Sequence, residues 1–152
     1  MKRVLVLLSL LFVGLASAAH ARDAVYHMKI QEVLDRADTK AKVGDRVKFY
    51  FATQKAPKAV QDMGVDVPNR KTNSFGKPDE EVCQWAMLAA LLELREHADK
   101  VGADAVVEIV SYYKKQEWAS ETEYECHAGG FVGGVTLKGR FIKTGAKTAA
   151  AR

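Results

Sequence analysis

The residues best equipped for chemistry lie in 120-SETEYECHAGGFVGG-134, where Cys126 and His127 stand just ahead of four glycines. Such a stretch could supply a thiolate nucleophile, a metal ligand pair, a phosphate-cradling loop or half of a structural bridge. The other groups of this kind are Cys83, His27 and His97. A metal centre needs three or four converging ligands, and these residues are scattered without ligand spacing. His127 alternates away from Cys126 on a strand, so His27, His97 and His127 are only weak metal candidates and no cofactor is expected. The glycines match neither G-x-G-x-x-G nor a Walker loop. They read as turn residues needing positive φ between two strands, with Phe131 and Val132 at the exposed tip. Cys83 and Cys126 form no C-x-x-C, and no base is placed beside either thiol. A nucleophile elbow and a Ser-His-Asp set are both missing, so the chain is expected not to be an enzyme, a small enzyme of unrecognised type being the last-ranked alternative.

Which role the cysteines take depends on the compartment. The N-terminus, MKRVLVLLSLLFVGLASAAHARD, has a basic start at Lys2 and Arg3, an apolar run over 4–13 and small residues up to Ala19-His20-Ala21. This is the layout of a secretory signal peptide over 1–21, cut before Arg22. A retained membrane anchor is the alternative, but the run is short of the ~20 residues that span a bilayer. The expected location is therefore periplasmic or secreted, with no membrane span after cleavage. Removing 21 of 152 residues leaves 131, enough for one core. The charge falls from +4 to +2 with the loss of Lys2 and Arg3, which gives little support to a nucleic-acid partner.

The elements that must position these residues are read from periodicity. Residues 25–37 give an extended entry and then a short helix over 30–37. In 46-RVKFYFA-52, Val47, Phe49 and Phe51 alternate with polar positions as a half-buried strand. Residues 53–77 hold two of the three prolines, Pro57 and Pro68, with two glycines and basic residues, and read as a long surface connection. Residues 78–102 are the strongest helix: Pro78 and an acidic first turn open it, and Gly102 closes it. Cys83, Met87, Ala90, Leu91, Leu94, Ala98 and Val101 share the face towards the sheet. A second stripe of Trp85, Leu88, Ala89 and Leu92 calls for a second cover, from the long loop, the N-terminal helix or another subunit, with cover from within the chain the favoured reading. Strands follow at 105–115, 120–128 and 134–143, the last with Val135, Leu137, Gly139 and Phe141 inward. The expected fold is α+β: one long helix on a small, mainly antiparallel sheet in two layers, with a short N-terminal helix. The domain is expected to cover 22–143, with a disordered tail over 144–152.

With Cys83 on the sheet-facing side of the helix and Cys126 on the helix-facing side of a strand, an exported chain most simply joins them in one disulfide. Two buried free thiols are the alternative. The remaining candidates are surfaces. Arg70, Lys71 and Lys77 in 69-NRKTNSFGK-77 form a basic cluster suited to anionic partners, and Phe131 marks an apolar tip. The expected function is binding a partner in the bacterial envelope, either a protein or an anionic component. A metal-binding protein using His and Cys ligands is the alternative. Oligomeric state stays open.

The helix running into 102-GADAVVEIVSYY-113 resembles small bacterial proteins of the YbjQ type, which carry a heavy-metal-binding label. It also resembles the core of the Rcs-pathway outer-membrane stress sensor, an exported domain of a helix on a small sheet held by disulfides. The wider set KFYF, NRKTNSFGK, DEEVCQWA, GADAVVEI and YEC-x-AG is similar to a group of exported proteins that often carry the name "excinuclease ATPase subunit". That resemblance covers most of 26–140 and implies no established activity. The name itself requires G-x-x-x-x-G-K-[ST] and a Mg²⁺-binding carboxylate, neither of which this chain has. The stress sensor is a lipoprotein with more cysteines. Its likeness implies only disulfide bonding, at Cys83 and Cys126.

Overall fold

The computed structural model describes residues 22–145. The signal peptide expected over 1–21 lies outside them, as do positions 146–152 of the expected tail. The order is β1 (Ala24–Lys29), α1 (Ile30–Asp35), α2 (Ala37–Val43), β2 (Lys48–Phe51), β3 (Ala59–Asp66), β4 (Asn69–Asn73), α3 (Asp79–Val101), β5 (Ala105–Ser111), β6 (Glu123–Ala128) and β7 (Val132–Thr144).

Helix α3 has the expected limits. Pro78 is extended at the N-cap, one residue before the position foreseen, and Asp79, Glu80 and Glu81 fill the first turn. Gly102 ends it in the left-handed region at φ 76°, donating its N–H to Ala98 O, as a β-carbon-free residue does at low cost. Its inner face buries Cys83, Met87, Ala90, Leu91, Leu94 and Ala98, with Val101 partly covered. The second stripe is covered within the chain by α1 and α2. Leu88 is buried. Trp85 stays at the rim, with the Arg36 and Lys42 cations 5.5 and 5.0 Å from its ring centroid, close enough for cation–π attraction.

The sheet corrects the expected architecture. It has seven strands, not a small layer, and the last three strands lie in the order β6-β7-β5 rather than in chain order. β7 is the axis, and β5 and β6 both pair with it. Its first half pairs with β6 (His127↔Gly134, Ala128↔Gly133), and its second half with β5 (Val106↔Phe141, Ser111↔Leu137). On its other edge, β3 and β4 run in one register, from Asp66↔Gly139 to Asn69↔Thr136, and Leu137 N–H donates to Pro68 O across the break. β1 extends the sheet beyond β6, and β2 lies parallel to β5. A strand of 13 residues is long enough to hold two partners end to end on each edge.

The connection expected over 53–77 therefore contains two strands. Its residues are mostly exposed along both, so the segment has no buried face to impose an apolar alternation. That is how an edge strand reads. The entry at 25–29 is a full strand, and α2 follows α1 where no second short helix was foreseen.

One irregularity shapes the outer surface. The register of β5 shifts between Val107 and Val110, and Glu108 takes φ 53°. This bulge turns Glu108 outward to accept from Arg140 Nε at 2.9 Å, while Arg140 Nη1 donates to Asp62 at 2.8 Å. Arg140 thus ties β5 and β3 across β7.

Candidate functional site

Cys83 and Cys126 are bonded to each other, with Cα atoms 5.7 Å apart, and both are fully buried. The bridge fastens the first turns of α3 to β6. It leaves no free cysteine among the described residues, so the thiols are unavailable as metal ligands or nucleophiles. Tyr124 lies on the same strand face, and burial pushes its phenol above the usual tyrosine range.

The histidines occupy two places. His97 on α3 stacks on Phe141 at 4.5 Å and bonds Asp66 of β3 through Nδ1 at 2.7 Å, which makes it a helix-to-sheet tie. His27 and His127 are on the outer face of β1 and β6, on either side of Glu125. His127 Nε2 bonds Glu125 Oε1 at 2.7 Å, and His27 Nε2 is 3.8 Å from Oε2. Facing a carboxylate, His127 Nε2 is placed to donate to Glu125. Its Nδ1 is buried without a hydrogen bond, and Asp23 Oδ1 lies 3.4 Å away. His27 stacks on Trp118 at 4.2 Å and His127 on Tyr113 at 3.4 Å. Among the described residues no group of three or more His, Cys, Asp or Glu side chains is arranged to hold a metal ion.

The expected basic cluster is divided by strand alternation. Arg70 points to α3, where it is ion-paired with Glu93. Lys71, next along β4, faces the opposite side. Lys77 is exposed beyond the strand, its N–H donating to Ser74 O at 3.1 Å.

Lys71 borders a cleft of about 670 Å³ on the outer face of β4, β6 and β7. Its floor is set by register: Lys71, Gly134 and His127 stand side by side on β4, β7 and β6. A β-carbon at Gly134 would lie 3.0 Å from Arg70 O and 3.1 Å from Lys71 Cγ, so glycine permits this close packing. Thr136 continues the floor, and Arg22 and Asp23 stand at one end. The far wall is a short 3-10 turn over Tyr113–Lys115. Backbone pairs from Ser111 to Trp118 (3.0 and 2.9 Å) close it, and Tyr112 N–H anchors it to Thr136 O at 2.8 Å. Lys114 and Lys115 hold φ of 50° and 65°, a left-handed conformation that costs a side-chain-bearing residue about 1–2 kcal/mol. Among the described residues, Lys71, Lys114 and Lys115 have no carboxylate partner, as is true also of Lys42, Lys48, Lys55, Lys58, Lys77 and Lys100, whereas Lys40, Lys138 and Lys143 are paired. Lys114 Nζ instead sits 5.0 Å from the Tyr113 ring centroid. Strain in loops of this kind gathers where ligands are held.

Beside the cleft, the expected apolar tip has a second ring. Phe131 and Phe75 are 73% and 69% exposed and stack nearly parallel, with centroids 5.9 Å apart, and Val132 is 51% exposed. Ser74 joins the two loops: its N–H donates to Phe131 O at 3.0 Å and its hydroxyl to Gly129 O at 2.8 Å. The glycines here correct an expectation, because none of Gly129, Gly130, Gly133 and Gly134 has positive φ. Space is what three of them provide: a β-carbon at Gly129 would stand 2.8 Å from Arg22 O, and one at Gly133 only 2.2 Å from Val82 Cγ1.

Sequence reasoning did not find Tyr113, Lys114 and Lys115 as a site, nor Phe75. The signal was the lysine pair ending the apolar run of β5, which reads equally well as a solvated strand end. Trp118 covers His27 on the outer face. No protein-family model, curated protein or solved structure matches this chain.

Proposed function

We propose that the protein is an exported, non-enzymatic domain of the bacterial envelope, stapled by one disulfide, that acts by binding. Its contact surface is the tip of Phe75, Phe131 and Val132, and its partner there is an anionic lipid surface. The observation that carries this reading is the stacked and exposed Phe75–Phe131 pair. Two phenyl rings held in solvent by a defined hydrogen-bonded junction are unlike scattered surface apolar residues, which need no explanation. Burying one such side chain contributes roughly 1.5–3 kcal/mol. Lys77 lies two residues beyond Phe75, and Lys71 borders the adjoining cleft. Their charges complement anionic headgroups, with an attraction that salt weakens. A disulfide in the core accords with an oxidising compartment. Among the described residues no helix is long and apolar enough to cross a membrane, so contact would be made at the surface.

Co-sedimentation with vesicles tests this. The chain is expected to bind phosphatidylglycerol vesicles in preference to phosphatidylcholine vesicles, and Phe75→Ser with Phe131→Ser should weaken binding at least ten-fold without loss of thermal stability. Equal binding by that double variant overturns the tip as the contact. Capture of an envelope protein through the tip, without vesicle binding, replaces the lipid with a protein partner.

A further inference from the structure

We infer that the cleft between β4 and the Tyr113–Lys115 turn, which meets the apolar tip at Val132, is a binding site for a phosphate group, and this inference does not depend on the reading given to that tip. Three features converge there. Lys71, Lys114 and Lys115 line one concavity of about 670 Å³ and have no carboxylate partner among the described residues. Other lysines without a carboxylate partner, such as Lys42 and Lys100, line none of the clefts described here, whereas these three border one concavity.

The backbone supplies the second feature. Two successive lysines in the left-handed region occupy positions where glycine or asparagine is the easier choice. The turn is nonetheless fixed at both ends, by the Ser111–Trp118 pair and by Tyr112 N–H on Thr136 O. Strained, pinned and cationic is the signature of a ligand clamp rather than of a solvated loop.

The third feature is the shape of the floor. Gly134 makes room for the Lys71 side chain, whose Cγ lies 3.1 Å from where a β-carbon would stand, and Thr136 offers a hydroxyl one pleat further on. A tetrahedral, multiply charged oxyanion suits three ammonium groups around such a floor better than a single carboxylate, since each ammonium is a compact point charge with three donors. A lipid headgroup and a soluble ester present the same phosphate chemistry to the lysines.

Titration of the purified chain with inorganic phosphate and with glycerol 3-phosphate at low ionic strength, followed by amide chemical shifts, tests the site. Saturable shifts are expected at Gly134, Thr136 and Lys114, and Lys114→Asn with Lys115→Asn should weaken binding at least ten-fold. Asparagine tolerates the left-handed conformation, so the turn keeps its shape. Lys71→Gln should also weaken binding, whereas Phe131→Ser should leave it unchanged even if it abolishes vesicle capture. Vesicles of phosphatidylglycerol distinguish the sources: dependence of capture on Lys114 and Lys115 points to a headgroup, and independence to a soluble ester. No saturable shift with either phosphate probe, or binding that the lysine variants leave intact, overturns the proposal.

Discussion

Val82 Cγ1 occupies the place of the β-carbon that Gly133 lacks, 2.2 Å from where that atom would stand. The first turn of α3 therefore rests directly on the backbone of β7, one residue from Gly134 and beside the strand that carries Cys126. Gly133→Ala is expected to force the helix outward and to cost about 1–3 kcal/mol, the usual range for overpacking. Gly130→Ala, with open space around it, should change stability by no more than about 0.5 kcal/mol. Urea denaturation of the two variants checks the contrast.

The disulfide closes a loop with a sequence separation of 43. The chain-entropy relation assigns it ~4 kcal/mol. Reduction, or Cys83→Ala with Cys126→Ala, should lower the unfolding free energy by about that amount and the midpoint temperature by ~10–20 °C. Calorimetry with and without reductant reads this directly. An unchanged midpoint in the double variant would show that packing of α3 on β6 alone fixes the fold.

Tyr124 gives the alkaline limit of stability. Its phenol is raised by burial above its ordinary value of 10.0, so above that pH the unfolded chain loses a proton that the folded chain keeps. Unfolded molecules then bind fewer protons, and stability falls as pH rises, by up to about 1.4 kcal/mol per pH unit for one group. The contribution is complete below pH 10. Tyr124→Phe should flatten the decline measured between pH 10 and 11; an identical slope would place the alkaline loss elsewhere.

What the sequence shows of this fold follows where one face meets the core. The sheet-facing residues of α3 and the inward positions Val135, Leu137, Gly139 and Phe141 of β7 are legible because burial on one side leaves a period. β3 and β4 are not, since both their faces are largely solvated and their pairing is carried by backbone groups that any residue possesses. α2 is hidden for a related reason: among its residues only Thr39 and Val43 are buried. The cleft is assembled from segments at 22–23, 71, 112–115 and 127–136, and it depends on Lys71, Gly134 and His127 falling level in the register. Charge counting along 69–77 grouped Arg70 with Lys71, which strand geometry then sends to opposite faces. The disulfide was legible because each cysteine sits in an element with a strong period.

The left-handed lysines allow function and stability to be separated. Relieving φ of 50° or 65° by glycine should recover about 1–2 kcal/mol of backbone strain, less about 0.5–1 kcal/mol for the greater freedom of glycine in the unfolded chain. Lys115→Gly is therefore expected to stabilise the protein by roughly 0.5–1 kcal/mol while weakening phosphate binding. Lys115→Asn should be closer to neutral in stability with the same loss of binding. A charge that merely solvates a loop would leave binding untouched in both variants, and a turn shaped by local propensity would gain nothing from glycine. Paired measurement of the unfolding midpoint and of phosphate-induced shifts in these two proteins distinguishes a strained clamp from a solvated loop, because only the clamp moves stability and binding in opposite directions.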